Sequence, residues 1–240
     1  MIYPQRRLDV DPVIVHAKAV RRPPAGRPYV LMNMVSSVDG AAAVDGVSGP
    51  LDAPGDKDVF LAIRAVADVI VVGAGTARAE RYGKAKLTPP LRKMRVGRGQ
   101  AELPTIAVVS RSLDLDFDSS LFVGDGPRTI VVTCASADGP SVERLRGVAD
   151  IVVAGDDDVD LSAAIARLNA RVCVLEGGPS LNGAMLEAGL VDEINLTIAP
   201  MTVGASDSER IIAGGAATAW TPAHIVVQDG AIFVRYLPDL

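Results

Sequence analysis

The stretch Val174-Leu175-Glu176-Gly177-Gly178-Pro179-Ser180 indicates the fold more clearly than any other part of the chain. A short apolar run followed by a carboxylate and two glycines is typical of a buried strand that turns into a helix. Pro179 suits the first position of that helix, where its missing N–H costs nothing. The glycines let a ligand approach the backbone, and the N-terminus of the helix favours a phosphate. An ordinary strand-to-helix turn also fits this segment.

The same alternation of strand and helix extends outward from this segment. Apolar runs predict strands at Tyr29–Val35, Val69–Val72, Thr105–Val109, Thr129–Thr133, Ile151–Ala154 and Val172–Leu175. Helices are predicted from Asp52 or Pro54 to Ala67, after Gly75, and at Ser141–Gly147, Leu161–Leu168 and Ser180–Ala188. Strands that alternate with helices predict an α/β fold with a mostly parallel sheet flanked by helices.

The end of the chain predicts an antiparallel edge to this sheet. Alternating residues at Glu193–Ala199 indicate one strand. Asp229-Gly230 then joins Ile225–Gln228 to Ile232–Tyr236, which is a strong signal for a β-hairpin. We therefore expect the sheet to close with an antiparallel C-terminal hairpin.

Composition divides the chain into an arm and a single domain. Residues 1–26 are rich in Pro and Arg and lack periodicity, whereas no linker interrupts residues 27–240. Within that domain, residues 82–103 have the composition of a long basic loop. Such a loop is either a mobile solvated segment or a lid that covers a phosphorylated substrate, and the sequence leaves both possibilities open.

The charge and residue content exclude several classes of protein. The 240 residues carry a formal net charge of −5, which argues against general binding of nucleic acid. No apolar run is long enough to cross a membrane and no signal peptide is expected, so we predict a cytoplasmic protein. Cys134 and Cys173 lie in apolar runs, as buried thiols do. His16 and His224 are far apart in the sequence, so no metal site is predicted.

Residues at the carboxyl ends of the predicted strands form the candidate site, because ligands bind at this edge of a parallel sheet. Gly75 lies in a second glycine-rich turn, and the two turns together suit the two phosphates of one dinucleotide. Arg78 stands where the Rossmann dinucleotide motif needs its third glycine, so that motif is not supported. Ser110 and Arg111 suit the 2′-phosphate of NADPH, although the segment taken alone is better explained as a polar turn.

Several segments, in order along the chain, resemble the reductase domain of riboflavin biosynthesis. They are Arg27-Pro28-Tyr29-Val30 through Gly40, Gly73-Ala74-Gly75-Thr76, Leu175-Glu176-Gly177-Gly178-Pro179-Ser180-Leu181, and Leu190 through Pro200 with Gly204. That family consists of pyrimidine reductases with a dihydrofolate-reductase-like fold. The resemblance implies hydride transfer from NADPH to C1′ of a phosphoribosylamino-pyrimidine, which opens the ribosyl group to a ribityl chain. It also implies a homodimer.

Residue patterns and the resemblance together give the expected site. The cofactor-binding residues are expected to be Gly75, Thr76, Glu80, Ser110, Arg111, Gly177, Gly178, Pro179, Ser180 and Leu181. By resemblance, Asn33, Ser48, Arg64 and Glu176 face the substrate. Arg64 would hold the 5′-phosphate, and Asn33 and Glu176 the ribose hydroxyls. Glu176 is the expected catalytic residue, which stabilises or protonates the ring-opened imine.

Two features depart from other members of the family. Asn33 stands where bifunctional bacterial members carry a lysine, as in the archaeal and fungal type. The Leu-Thr-x-Arg substrate segment is not seen, and Arg81, Lys84 or Lys86 could take over its role. A zinc deaminase motif is not found either, so reduction alone is expected.

Two alternative functions remain open. One is a reductase of the same fold that acts on dihydrofolate, another pterin, or a different small imine or carbonyl. The other is a nucleotide-binding module without turnover.

Overall fold

A computed structural model describes residues 10–204 and 209–239, which form one nine-stranded sheet with helices on both faces. The strands are β1 (Tyr29–Ser37), β2 (Val69–Gly73), β3 (Thr105–Val109), β4 (Thr129–Thr133), β5 (Ala149–Val153), β6 (Val172–Leu175), β7 (Glu193–Ala199), β8 (Trp220–Gln228) and β9 (Ala231–Pro238). The helices are α1 (Pro12–Lys18), α2 (Asp56–Arg64), α3 (Ala74–Ala79), α4 (Pro89–Gly97), α5 (Gly139–Val148), α6 (Leu161–Arg167) and α7 (Pro179–Glu187).

The strand order is β5-β4-β3-β2-β6-β1-β7-β9-β8. All pairs from β5 through β1 to β7 are parallel, whereas β9 pairs antiparallel with both β7 and β8. The predicted mostly parallel sheet with an antiparallel C-terminal hairpin is therefore confirmed. The hairpin strand β8 begins earlier than predicted, at Trp220, and its register shifts between Pro222 and His224.

The period-two alternation of the strands divides the core between the two faces of the sheet. Leu31 and Val174 pack into the core under α2 and α5, whereas their neighbours Met32 and Leu175 pack into the core under α6 and α7. Strands buried on both sides explain the unbroken apolar runs in the sequence. By the same alternation, the polar residue two positions after Leu31 lies on the α2 face of the sheet.

The predicted basic loop at residues 82–103 contains helix α4, so that prediction is wrong. Pro89 and Pro90 start the helix, and Arg95 is 1 % exposed. The Arg95 guanidinium donates to the carbonyls of Ala65, Ala67 and Ala101, the second of which lies just before β2. These bonds hold α4 at the amino end of the sheet, opposite the edge where ligands bind. Helix α4 is therefore not a lid over a substrate.

The predicted N-terminal arm contains a helix that the sequence analysis missed. Asp11 caps α1 by accepting a hydrogen bond from the N–H of Val13 at 2.8 Å. His16 of this helix is buried, and its Nδ1 lies 2.7 Å from the Oδ1 of Asn195 in β7. Its Nε2 lies 3.3 Å from Nε2 of His224, so residues distant in sequence meet in the fold. Residues 1–9 of the arm lie outside the described residues.

Within the part of the chain that the structure covers, none of the helices has the length and apolar character needed to span a membrane.

Candidate active site

A cavity of about 850 Å³ opens at the carboxyl ends of β1, β2 and β6. Two glycine turns meet there, because the N–H of Gly73 donates to the carbonyl of Gly177 at 2.7 Å. A Cβ on Gly178 would lie 2.4 Å from Oγ1 of Thr76, so the turns pack too closely to admit a side chain at that position. The predicted strand ends after β2 and β6 therefore face the same cavity.

The geometry of the two turns fits the phosphates of a dinucleotide. A Cβ on Gly75 would meet no atom within 4 Å, so this backbone is open to the cavity. Gly178 precedes α7 without a side-chain cap, which leaves the first N–H groups of this nine-residue helix for an anion. The lining residues on this side of the cavity are Gly73, Gly75, Thr76, Ala79, Glu80, Gly178, Pro179, Ser180 and Leu181.

Glu176 is held by a bidentate ion pair and a phenol. Arg64 donates from Nε to Oε1 at 2.7 Å and from Nη2 to Oε2 at 2.6 Å. The hydroxyl of Tyr82 donates to Oε2 at 2.7 Å. The Glu176 side chain is 3 % exposed, and the guanidinium of Arg64 lies 4.1 Å from the centre of the Phe60 ring. Paired and hydrogen-bonded in this way, a buried carboxylate is well stabilised.

The pKa shifts of the two donors agree with this arrangement. Burial disfavours the charged form of Arg64, but the ion pair with Glu176 raises the pKa of Arg64 above its usual value. Burial, followed by the charge of Glu176, raises the pKa of the Tyr82 phenol well above its usual value. Both groups therefore stay protonated at neutral pH, and the Glu176 carboxylate is the acceptor in all three hydrogen bonds.

The strand register brings Asn33 beside Glu176. Met32 of β1 is paired with Leu175 of β6. The residues that follow them, Asn33 and Glu176, are therefore neighbours, and both line the cavity. Asn33 also lies on the α2 face, which carries Arg64. Polar side chains from two neighbouring strands thus meet at one point of the cavity.

Ser48 and Glu80 form a second polar contact in the cavity. The backbone N–H of Ser48 donates to Oε1 of Glu80 at 2.7 Å, and both residues line the cavity. The bond ties the end of α3 to the loop that precedes α2. Glu80 therefore anchors this wall as well as facing the space for a ligand.

Four of the predicted site residues do not line the cavity. Ser110 is buried, and its Oγ accepts a hydrogen bond from the N–H of Leu113 at 3.0 Å, as in a polar turn. Arg111 next to it is exposed. Gly177 lies behind the surface as the acceptor for Gly73, and Arg64 reaches the cavity through Glu176.

Several cavity residues escaped the sequence analysis. Tyr82 falls within the predicted basic loop, although an aromatic residue with a polar group, just after a short helix that follows a strand, is a usable signal. Phe60 and Lys57 are not among the predicted site residues, yet both line the cavity. Asp56 lines it as well, and burial raises the pKa of its carboxyl.

Similarity to known proteins agrees with this geometry. The model of the RibD C-terminal domain matches residues 28–233. The 2,5-diamino-6-ribosylamino-4(3H)-pyrimidinone 5′-phosphate reductase of Methanothermobacter thermautotrophicus is 33% identical over 193 residues, which cover 78% of this chain and 85% of the relative. The crystal structure of a pyrimidine reductase-like protein from Corynebacterium diphtheriae is similar with a TM-score of 0.84 and 30% identity, covering 96% of this chain and 100% of that one.

The fold is also that of dihydrofolate reductase. The enzyme from Enterococcus faecalis matches with a TM-score of 0.52 at 14% identity, over 88% of this chain and 96% of that one, which is a likeness of fold alone. The family match and the relatives at 30% identity or more go further than fold. They show that this chain belongs to the family of the RibD C-terminal domain.

Proposed function

We propose that this chain is an NADPH-dependent reductase that transfers a hydride to the ribosyl C1′ of a phosphoribosylamino-pyrimidine in riboflavin biosynthesis. The observation that carries the proposal is one cavity in which two glycine turns face a buried Glu176–Arg64 pair. The name of the archaeal relative, a 5′-phosphate reductase of a ribosylamino-pyrimidinone, supports the substrate class.

The reaction needs a group that stabilises positive charge on the substrate. The C1′–O4′ bond breaks with its electron pair going to O4′, which takes a proton from solvent, and the glycosidic nitrogen forms a C1′=N iminium. The bound cofactor supplies the hydride that reduces C1′, and the product is a ribitylamine. A buried carboxylate close to C1′ lowers the free energy of the cationic iminium and of the transition state that leads to it.

Glu176 suits this role because its carboxylate is held as an acceptor. Arg64 and Tyr82 fix its orientation, so stabilisation of the imine is the better supported of the two roles considered for it. Asn33 beside it is proposed to bind a ribose hydroxyl, and Ser48 another polar group of the substrate. The guanidinium of Arg64 is engaged by Glu176, so we assign it to positioning that carboxylate.

NADPH is the proposed cofactor. Gly75, Thr76 and the first turn of α7 are proposed to hold the pyrophosphate, with Gly177 forming the turn behind them and Glu80 facing the cofactor from the wall. Ser110 and Arg111 follow β3, next to β2 in the sheet, and we propose that the Arg111 guanidinium reaches the 2′-phosphate. We further propose that the protein forms a homodimer, because β8 leaves an open strand edge at one side of the sheet. We also propose that it is cytoplasmic, as expected for an enzyme of this metabolic class.

A side-by-side assay of NADPH oxidation tests the proposal. The purified protein is supplied either with the phosphoribosylamino-pyrimidine or with dihydrofolate, and the absorbance of NADPH is followed. We expect oxidation with the pyrimidine and formation of the ribityl product. Oxidation with dihydrofolate alone would favour a pterin reductase, and binding of NADPH without oxidation by either compound would favour a non-catalytic module.

A further inference from the structure

The charged residues that line the cavity are mostly acidic. Five carboxylates face it, from Asp52, Asp56, Glu80, Glu176 and Glu209. Among the described residues that line it, Lys57 is the one cation. A phosphate ester carries a charge of about −1.5 to −2 at pH 7, so a phosphorylated substrate would be repelled unless a cation offsets these carboxylates.

The other basic residues considered as phosphate ligands are either paired elsewhere or do not line the cavity. The guanidinium of Arg64 is paired with Glu176. Lys84 donates to the carbonyl of Pro127 at 2.9 Å and to Oγ1 of Thr129 at 3.1 Å. Arg81, Lys84 and Lys86, which the sequence offered as phosphate ligands, do not line the cavity.

Lys57 occupies a suitable place on α2. It lies two helical turns before Arg64, so both residues lie on one face of the helix, about 10 Å apart along its axis. Phe60 lies between them on the same face and lines the cavity. Glu176, Phe60 and Lys57 all line this one cavity.

We propose that Lys57 binds the 5′-phosphate of the substrate and so determines the preference for a phosphorylated ligand. The inference rests on the proposed function. Lys57 is exposed at this wall, and no carboxylate within residues 10–204 and 209–239 forms an ion pair with it. Its ammonium group is thus available to a ligand without breaking a contact with the described part of the chain.

The test measures binding rather than turnover, so that its outcome does not depend on catalysis. Calorimetry gives the Kd of the ribitylamino-pyrimidine product with and without its phosphate, for the wild type, Lys57→Met and the control Lys86→Met. We expect Lys57→Met to weaken binding of the phosphorylated compound about 10- to 100-fold, the range for one charge-assisted hydrogen bond. Binding of the dephosphorylated compound, and both Kd values of Lys86→Met, should stay close to those of the wild type.

The outcomes separate this inference from the proposed function. Equal weakening of both compounds by Lys57→Met, no weakening of either, or failure of the wild type to bind the phosphorylated compound would overturn the role of Lys57. Failure of the wild type to reduce the pyrimidine substrate while the phosphate-dependent loss persists would overturn the proposed reaction and leave the phosphate site intact.

Discussion

Glu176 depends on two side chains that are distant in the sequence. Arg64 lies 112 residues earlier and Tyr82 lies 94 residues earlier, yet both donate to its carboxylate at 2.7 Å or less. A lone carboxylate at this depth would be costly to keep charged. The ion pair and the phenol stabilise the charge, and they also fix the direction in which the free lone pairs of the carboxylate face the cavity.

Replacing the carboxylate should remove catalysis and spare cofactor binding. In Glu176→Gln, we expect kcat with the pyrimidine substrate to fall about 10²- to 10³-fold, because the amide does not stabilise a cationic imine. The Kd of NADPH should change little. Steady-state kinetics and fluorescence titration measure the two effects, with Glu187→Gln on the exposed side of α7 as the control. An unchanged kcat would contradict the catalytic role.

Removal of the Tyr82 hydroxyl should give a smaller effect of the same kind. Tyr82→Phe keeps the ring against Arg64 but leaves Glu176 with one donor fewer. We expect kcat to fall about 10-fold and the free energy of unfolding to fall by about 1 kcal/mol. In the Glu176→Gln background the effect on kcat should disappear, which a purely structural role would not produce. The control is Tyr236→Phe.

At the scale of elements, strands were predicted better than the segments between them. A strand buried on both faces must be apolar along its whole length, so runs such as Val69–Val72 are visible in the sequence. Helix α4 was missed because the charge of Arg95 suggested solvent, whereas three backbone carbonyls from other segments satisfy it. Local composition does not reveal acceptors that only the fold brings together.

Arg95 should therefore be important for stability and irrelevant to chemistry. In Arg95→Met, three carbonyls lose their donor, and we expect the free energy of unfolding to fall by about 3 kcal/mol, or roughly 6–12 °C in Tm. The kcat of the folded variant should match that of the wild type, because α4 lies opposite the cavity. Thermal unfolding and steady-state kinetics measure both, with the exposed Lys93→Met as the control. A loss of kcat without a loss of stability would support the lid instead.

At the scale of the whole molecule, a buried polar network joins α1 to the antiparallel half of the sheet. Glu193 accepts hydrogen bonds from Arg21, Arg235 and Tyr29. Burial opposes its charge, but the two guanidinium groups lower the pKa of Glu193 to about 2. Sequence patterns could not find this network, since its members are polar residues within strands and loops that meet through tertiary contacts alone.

The histidines at one end of this network should make stability sensitive to acid. Burial lowers the pKa of His16 to about 4 and that of His224 to about 3, both below the value of about 6.5 for an unfolded chain. Below pH 6.5 the unfolded state therefore binds more protons than the folded state. The contribution of the two neutral histidines to the free energy of unfolding is fully present above this pH and decreases as the pH falls toward 4. The stabilisation from the ionised carboxyl of Glu193 is fully present above about pH 4.5 and is lost only as the pH falls from there toward 2.

A Tm series between pH 7 and pH 5 measures this effect. We expect the Tm of the wild type to fall over this interval, and that of His224→Gln to fall less, because one of the two protonating groups is gone. The chain has two histidines in all, so the comparison reports on this pair. Equal falls in both proteins would contradict the assignment.

The central claim is that the two glycine turns form one site for a reduced dinucleotide, and titration with NADPH tests it most directly. The wild type should bind NADPH saturably. Gly75→Leu should abolish binding without lowering the Tm, because the new side chain meets no protein atom at its Cβ and extends into the cavity. Gly97→Leu, equally open but on α4, should bind like the wild type. No binding of NADPH by the wild type, or undiminished binding by Gly75→Leu, would contradict the account.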